Sequence, residues 1–242
     1  MRIVFWNIMA GGGKRAEAIA SQILAWNPAI VALAEFRATP PSQAIASQLS
    51  AHGLSHQVTT ADLSSHARNA LLLASRYPLE IIQPKLSPQP AHRWLLADIQ
   101  TPSSLIMGAM HIPNMHTGLK IPYHQTLLSL VEGWGNSPAL FMGDTNSGIP
   151  DIDEEAPAFT RHEEAFMRSM ELAGWHDAFR KLHGQKRAYT WYSPNGKNGF
   201  RLDQAFVNTA LIHRVQAFEY VWGQAPSFRQ LSDHAAILLD IE

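Results

Sequence analysis

The chain repeats one local pattern: a short apolar run that stops on a carboxylate, an amide or an imidazole. The instances are Trp6-Asn7, Ala34-Glu35, Met110-His111, Leu202-Asp203 and Ser232-Asp233-His234, with Gly143-Asp144-Thr145-Asn146 after Ala139-Leu140-Phe141-Met142. A buried run followed by Gly and polar turn residues reads as a strand end opening onto a loop. In α/β proteins, strand ends are where sites collect.

Between these runs lie helical segments. Arg2 to Trp6 reads as a strand. Gly11-Gly12-Gly13 breaks the chain, and Arg15 to Trp26 has helical periodicity. Asn27-Pro28 stops that helix, because a residue before Pro is pushed out of the α region. Ile30 to Ala34 is the next strand, and Pro41 to Leu49 a further helix. The segments 70–74, 94–99 and 105–110 are apolar or alternating, as strands are. A helix is expected from Pro122 to about Trp134, a strand over 139–142, a loop over 149–160 and a helix over 165–172. Strands at 204–207, 215–220 and 235–241 follow. The start is βαβ-like, and much of the rest alternates as antiparallel strands do. Two packed sheets with helices outside satisfy both halves.

Composition narrows the classes. The chain has 242 residues, 46% of them hydrophobic, so a sizeable core is available, and the lack of a linker or internal repeat predicts a single domain over 1–242. A formal net charge of -1 excludes a strongly basic, indiscriminate polyanion binder. With no cysteine there is no disulfide or thiolate chemistry, and a cytoplasmic location is expected. The N-terminus reads as a first strand rather than a signal peptide, and no apolar run is long enough to span a bilayer.

Each polar strand end has a bland explanation. Asn7 could cap the turn at Gly11 to Gly13, Glu35 could pair with Arg37, Asp203 with Arg201, and His234 could be a core histidine. As a set they suit phosphodiester hydrolysis, which needs charge neutralised on phosphoryl oxygens and a water activated. Glu35 can hold a hard cation such as Mg²⁺ through oxygen. Asp144 can orient or deprotonate the water. Asn7 and Asn146 can position groups without repelling an anion, and His234 can contact phosphate as a cation beside Asp203.

The ordered set Trp6-Asn7, Ala34-Glu35, Gly143-Asp144-Thr145-Asn146, Arg201-Leu202-Asp203 and Ser232-Asp233-His234 resembles the endonuclease/exonuclease/phosphatase superfamily over nearly the whole chain. The resemblance implies a four-layer α/β/β/α sandwich of two packed mixed β-sheets flanked by helices, and a phosphoesterase dependent on Mg²⁺, with Mn²⁺ able to substitute. It makes Glu35 the metal ligand, helped by Asn7 and Asp233. Asp144 becomes the water activator with Asn146 beside it, His234 the phosphate binder and Asp203 its carboxylate partner. His111 falls near the leaving group or phosphate, and Asn114 is a secondary substrate contact.

Tyr189-Thr190-Trp191-Tyr192 and Gly199-Phe200-Arg201-Leu202-Asp203 resemble the exonuclease III and abasic-site endonuclease branch, whose members use such a hairpin to wall a sugar pocket. On that resemblance Trp191, Phe200, Leu202 and Arg201 are substrate-binding. Ala34-Glu35-Phe36-Arg37 departs from that branch's second strand, and His111 and the segment 70–78 look more like deoxyribonuclease I and phosphatase members. Arg180, Lys181, Lys186, Arg187, Lys197 and Arg201, interleaved with aromatics, suit a nucleic-acid backbone. The same residues could be a solvated face over a core hairpin, and the acidic stretch Asp151 to Glu155 would repel a polyanion if it faced the cleft. The expected activity is abasic-site or 3′-end DNA hydrolysis by a monomer, in the setting of DNA repair. A smaller phosphoester (lipid head group, nucleotide or protein–DNA adduct) is the alternative.

Overall fold

Alternation in strand β1 (Arg2–Asn7) sends Ile3 and Phe5 to one face and Val4 and Trp6 to the other, and all four are buried. A strand covered on both faces must lie inside a layered structure. The computed structural model, which describes residues 1–195, 197–225 and 230–242, shows those layers.

The remaining strands, in chain order, are β2 (Ile30–Phe36), β3 (His56–Thr59), β4 (Ala70–Ser75), β5 (Leu79–Ile81), β6 (Trp94–Ile99), β7 (Leu105–His111), β8 (Ala139–Asp144), β9 (Trp175–Asp177), β10 (Trp191–Tyr192), β11 (Gly199–Phe200), β12 (Asp203–Asn208), β13 (Val215–Val221) and β14 (Ala236–Ile241). The helices are α1 (Ala16–Ala25), α2 (Pro40–Ala51), α3 (Lys120–Glu132), α4 (Arg161–Leu172) and α5 (Ala178–His183). One six-stranded sheet runs β13-β14-β1-β2-β4-β3, the other β5-β6-β7-β8-β12-β9, and β10 and β11 form a separate hairpin. Both large sheets are mixed: β1 with β2 and β7 with β8 are parallel, and the other pairs are antiparallel.

Ile3, Phe5, Ala32 and Leu73 of the first sheet meet Leu95, Met107, Leu140 and Val207 of the second in the central core. On the outer face of the first sheet, Val4, Trp6 and Leu33 pack on Ile19 and Ile23 of α1 and Ile45 and Leu49 of α2. Outside the second sheet, Trp94, Phe141 and Phe206 pack on Tyr123 and Leu127 of α3 and Phe166 and Met170 of α4. This is the expected α/β/β/α sandwich. Burying each such side chain contributes about 1.5–3 kcal/mol, so three cores account for the layer order.

Some boundaries differ from expectation. Helix α4 begins at Arg161 rather than 165, because the Thr160 side chain accepts from His162 N–H and Glu163 reaches back to the Thr160 N–H, a capping box. Edge strand β3, with the sequence HQVT, carries too little apolar character to be read from sequence. Helix α5 follows an Asp177 cap that accepts from the N–H groups of Phe179 and Arg180.

Candidate active site

Strand register brings the polar ends together. His111, the last residue of β7, lies opposite Asp144 at the end of β8. Asp203, the first residue of antiparallel β12, faces Asp144 from the other side. Asn7 ends β1, and Ser232-Asp233-His234 leads into β14, which pairs with β1. The C-terminal ends of parallel strands and the N-terminal ends of their antiparallel neighbours therefore share one edge of the sandwich. Gly143 permits this approach, since a Cβ there would collide with the Met110 carbonyl.

At the centre, His234 Nδ1 lies 2.8 Å from Asp203 Oδ2, and its Nε2 lies 3.9 Å from Asp144 Oδ2. Asp144 Oδ2 also accepts from Asn7 Nδ2 at 3.1 Å and has His111 Nε2 at 3.5 Å, while Asp144 Oδ1 accepts the Asn146 N–H at 3.0 Å. The His234 backbone is fixed as well. Its N–H donates to Ser232 Oγ, its carbonyl accepts from Trp6 Nε1, and Ser232 Oγ donates to the Asn7 carbonyl. Asp203 thus pairs with His234 and not with its sequence neighbour Arg201. Asp203 Oδ1 and His111 Nδ1 are buried without a hydrogen-bond partner.

Electrostatics divides the roles. Burial raises the Asp144 carboxyl, with Asp203 adding to the effect against His234, and it sits at about 7. Burial would lower His234, but the Asp203 and Asp144 carboxylates overcome it and push the imidazole up to about 10, so it is a cation at neutral pH. Burial, then Arg93, holds His111 well below the usual histidine range, so it is neutral.

Glu35 stands at a β-bulge in β2, with φ 56, and its Oε2 accepts the Ala10 N–H at 2.7 Å. Asn7 Oδ1 accepts from the Met9 N–H at 3.1 Å, and Asp233 is exposed at the rim. These carboxylate and amide oxygens are the donor chemistry a hard divalent cation takes. The ligand atoms of Asp144, Asp203 and His234 also lie within 4.8 Å of one another. In that trio the Asp203 carboxylate takes His234 Nδ1 and Asp144 lies toward Nε2, so the imidazole stands between two carboxylates.

A cleft of about 550 Å³ opens over this floor. Trp191, Phe200 and Leu202 line it, and Asn114 stands exposed at its rim. Trp191 and Phe200 face each other across the β10–β11 pair, with ring centroids 5.9 Å apart. Arg201 is a correction. Between the end of β11 and the start of β12 it turns away from the cleft, fully buried, with Nε 2.7 Å from Asp153 Oδ1 and Nη2 2.6 Å from Asp177 Oδ2. The basic stretch and the acidic loop partly cancel each other. Arg180 also pairs with Asp153, Arg187 donates to the Asp151 carbonyl, and Glu154 accepts the N–H groups of Ala158 and Phe159. Asp153 and Glu154 of the acidic loop are therefore turned inward, while Asp151 and Glu155 are exposed.

Among the cleft residues that sequence reasoning missed are Arg93, Phe159, Lys120 and Glu163. Arg93 immediately precedes β6, and Phe159 packs edge-on against Phe200 with centroids 5.8 Å apart. The capping box at Thr160 was the legible signal for Glu163.

A model of the Endonuclease/Exonuclease/phosphatase family matches residues 4–234. The chain belongs to this family. Its members are hydrolases of phosphoester bonds. Exodeoxyribonucleases of two Streptococcus pneumoniae strains, TIGR4 and R6, are each 29% identical over 119 residues, 43% of this chain. The match spans 42% of those relatives' length. An AP endonuclease from Archaeoglobus fulgidus superposes with a TM-score of 0.82 at 19% identity, covering 100% of this chain and 99% of the other. A 3′ phosphatase from Neisseria, bound to product DNA hairpin, gives 0.81 at 20% identity over 100% and 99%. A 3′-5′ exonuclease from Neisseria meningitidis gives 0.79 at 21% over 100% of both chains. These structures share the fold. Among the described residues, no helix is long and apolar enough to cross a membrane.

Proposed function

We propose that this family member is a single-domain, divalent-metal-dependent phosphodiesterase that hydrolyses DNA at abasic sites or at 3′ ends. The observation that carries the reading is the His234–Asp203 pair set across from a buried Asp144, beneath a cleft with an aromatic wall. The names of the structural neighbours and of the exodeoxyribonuclease relatives support DNA as the substrate and favour the exonuclease III-like branch.

Asp144 has a proton affinity suited to taking a proton from water near neutral pH. Asn7 and the Asn146 N–H hold its two oxygens, which fixes the direction of that transfer. His234, kept protonated by Asp203, offers Nε2–H to a phosphoryl oxygen that gains charge in the transition state. Neutral His111 can share a proton at Nε2 with the same region. Glu35, Asn7 and Asp233 would hold Mg²⁺ or Mn²⁺, which neutralises charge on the phosphoryl oxygens. Trp191, Phe200 and Leu202, with Phe159 beside them, give an extruded sugar an apolar surface. A baseless sugar loses little stacking when it leaves the duplex.

The test is a paired assay in Mg²⁺ and after chelation, on an abasic-site duplex, a duplex with a recessed 3′-hydroxyl end and a phosphomonoester. Cleavage of either DNA that stops on chelation and on Glu35→Gln supports the reading. Undiminished hydrolysis after chelation would remove the metal from it. The second reading, a smaller phosphoester, is favoured by the internal pairing of Arg180 and Arg201, which takes cations away from a backbone-binding face. Turnover of the phosphomonoester without any DNA cleavage would select it.

A further inference from the structure

We propose that Lys120 is a positioning residue that holds Asn146 from beneath, through its backbone carbonyl, as one half of a buried ion pair with Glu163. The inference rests on the reading of Asn146 as part of the reaction site.

Lys120 begins α3 and is 3% exposed; Glu163, in the first turn of α4, is 2% exposed. Lys120 Nζ lies 2.9 Å from Glu163 Oε1 and also donates to the Asn146 carbonyl. Glu163 is itself immobilised, because its Oε2 accepts from the N–H and the hydroxyl of Thr160. Burial works to raise the Glu163 carboxyl, but Thr160 and Lys120 hold it at about 2, so the pair is ionic. The first turns of two helices therefore meet under the loop that follows Asp144.

That loop needs holding. Asn146 has φ 48, in the left-handed region that a side chain disfavours. Its N–H is given to Asp144 Oδ1 and its Nδ2 to the Ile112 carbonyl. The contact from Lys120 is the third tether and the one that fixes the peptide after Asn146. A buried ion pair is a poor source of net stability, since an apolar pair of similar volume often does as well. Stability alone therefore gives little reason for a lysine here. A need for a cationic donor at the Asn146 carbonyl gives one.

The experiment compares Lys120→Met with the double variant Lys120→Met/Glu163→Gln. Steady-state rates are taken on bis(4-nitrophenyl) phosphate in Mg²⁺, together with Tm and the ¹H–¹⁵N resonances of the Asn146 side-chain amide. Lys120→Met should lower both Tm and kcat, because it strands a buried carboxylate as well as freeing the loop. The double variant should recover Tm, since no unpaired charge stays buried and Thr160 keeps its acceptor. Its kcat should remain about 100-fold down, the scale of a misplaced group, with KM little changed. The Asn146 resonances should be displaced in both. Recovery of kcat together with Tm in the double variant would reduce Lys120 to a structural residue and overturn the proposal, as would unmoved Asn146 resonances. Failure of the wild type to turn over the probe would count against the phosphodiesterase reading, and the Asn146 resonances would still decide the role of Lys120.

Discussion

Two clusters of buried charge lie close together in this molecule and are built on opposite terms. Around Arg201, Asp153 accepts from Nε and Nη2, Asp177 accepts from Nη2, and Nη1 lies 3.3 Å from the Tyr220 hydroxyl. Burial would raise Asp153, but Arg201 and Arg180 hold it below the ordinary range. Around His234, Asp203 Oδ1 and His111 Nδ1 have no partner, and Asp144 is pushed up to about 7. Arg201, Asp153 and Asp177 are satisfied, with Arg180 Nε beside them left without a partner, whereas in the second cluster the unpartnered atoms belong to the central residues. Unsatisfied, perturbed groups facing a cleft are what a reaction site requires, because a group already fully paired has nothing left to give a substrate. Tyr220 joins the two, donating its hydroxyl hydrogen to the Asp203 carbonyl.

The sharpest separation should come from the least satisfied residues. Asp144→Asn and His234→Ala are each expected to lower kcat by about 10²–10⁴-fold on the best phosphoester found. The melting temperature of Asp144→Asn should stay near that of the wild type, whereas His234→Ala also strands the buried Asp203 and should lower Tm. A near-normal rate in Asp144→Asn would erase the contrast between the clusters. Arg201→Met should do the reverse. It strands Asp153 and Asp177, and breaking a buried pair costs about 3–5 kcal/mol, which in a chain of this size lowers Tm by roughly 10 °C. Activity per folded molecule should persist. Intact Tm with lost DNA binding would return Arg201 to the substrate.

Phe200→Ala falls between the two clusters, because the ring is buried against Trp191 and Phe159 yet lines the cleft. It should cost less than the roughly 3–5 kcal/mol of a Phe→Ala change in a closed core. The ratio of abasic-site to undamaged-DNA cleavage should fall. A large drop in Tm with an unchanged ratio would make Phe200 ordinary core.

The smallest effect is on the pH profile. The rate should rise with pH through about 7 as Asp144 ionises, and fall toward about 10 as His234 loses its proton. Asp203 is the leading carboxylate that raises His234, so Asp203→Asn should move the alkaline limb to lower pH. An unmoved limb would assign that limb to another group.

Much of the site was legible because strand ends declare themselves. Asn7, Glu35, His111, Asp144, Asp203 and His234 each terminate or immediately precede an apolar run, and a polar residue there has few places to go but the sheet edge. Arg201 misled because a basic residue among Lys and aromatic neighbours looks like a surface patch, and its carboxylate partners are 48 and 24 residues away. Lys120, Arg93 and Phe159 carry no local signature of a cleft, and the capping box that marks Glu163 signals only a helix start. They reach it only because α3 and α4 dock onto the second sheet beside the start of its strand β6.

By itself the sequence determined the layered class, the run of strands and helices, and the residues that end each strand. These follow from hydrophobic periodicity and turn chemistry, which act over a few residues. Only the tertiary structure decided that His111 and Asp203 flank the same carboxylate, that Arg201 is paired inside the protein, and which cations remain for a substrate. Those outcomes depend on strand register and on the burial of charge. Pairing across a sheet joins residues more than a hundred positions apart, and desolvation makes every buried charge take the partner that folding supplies.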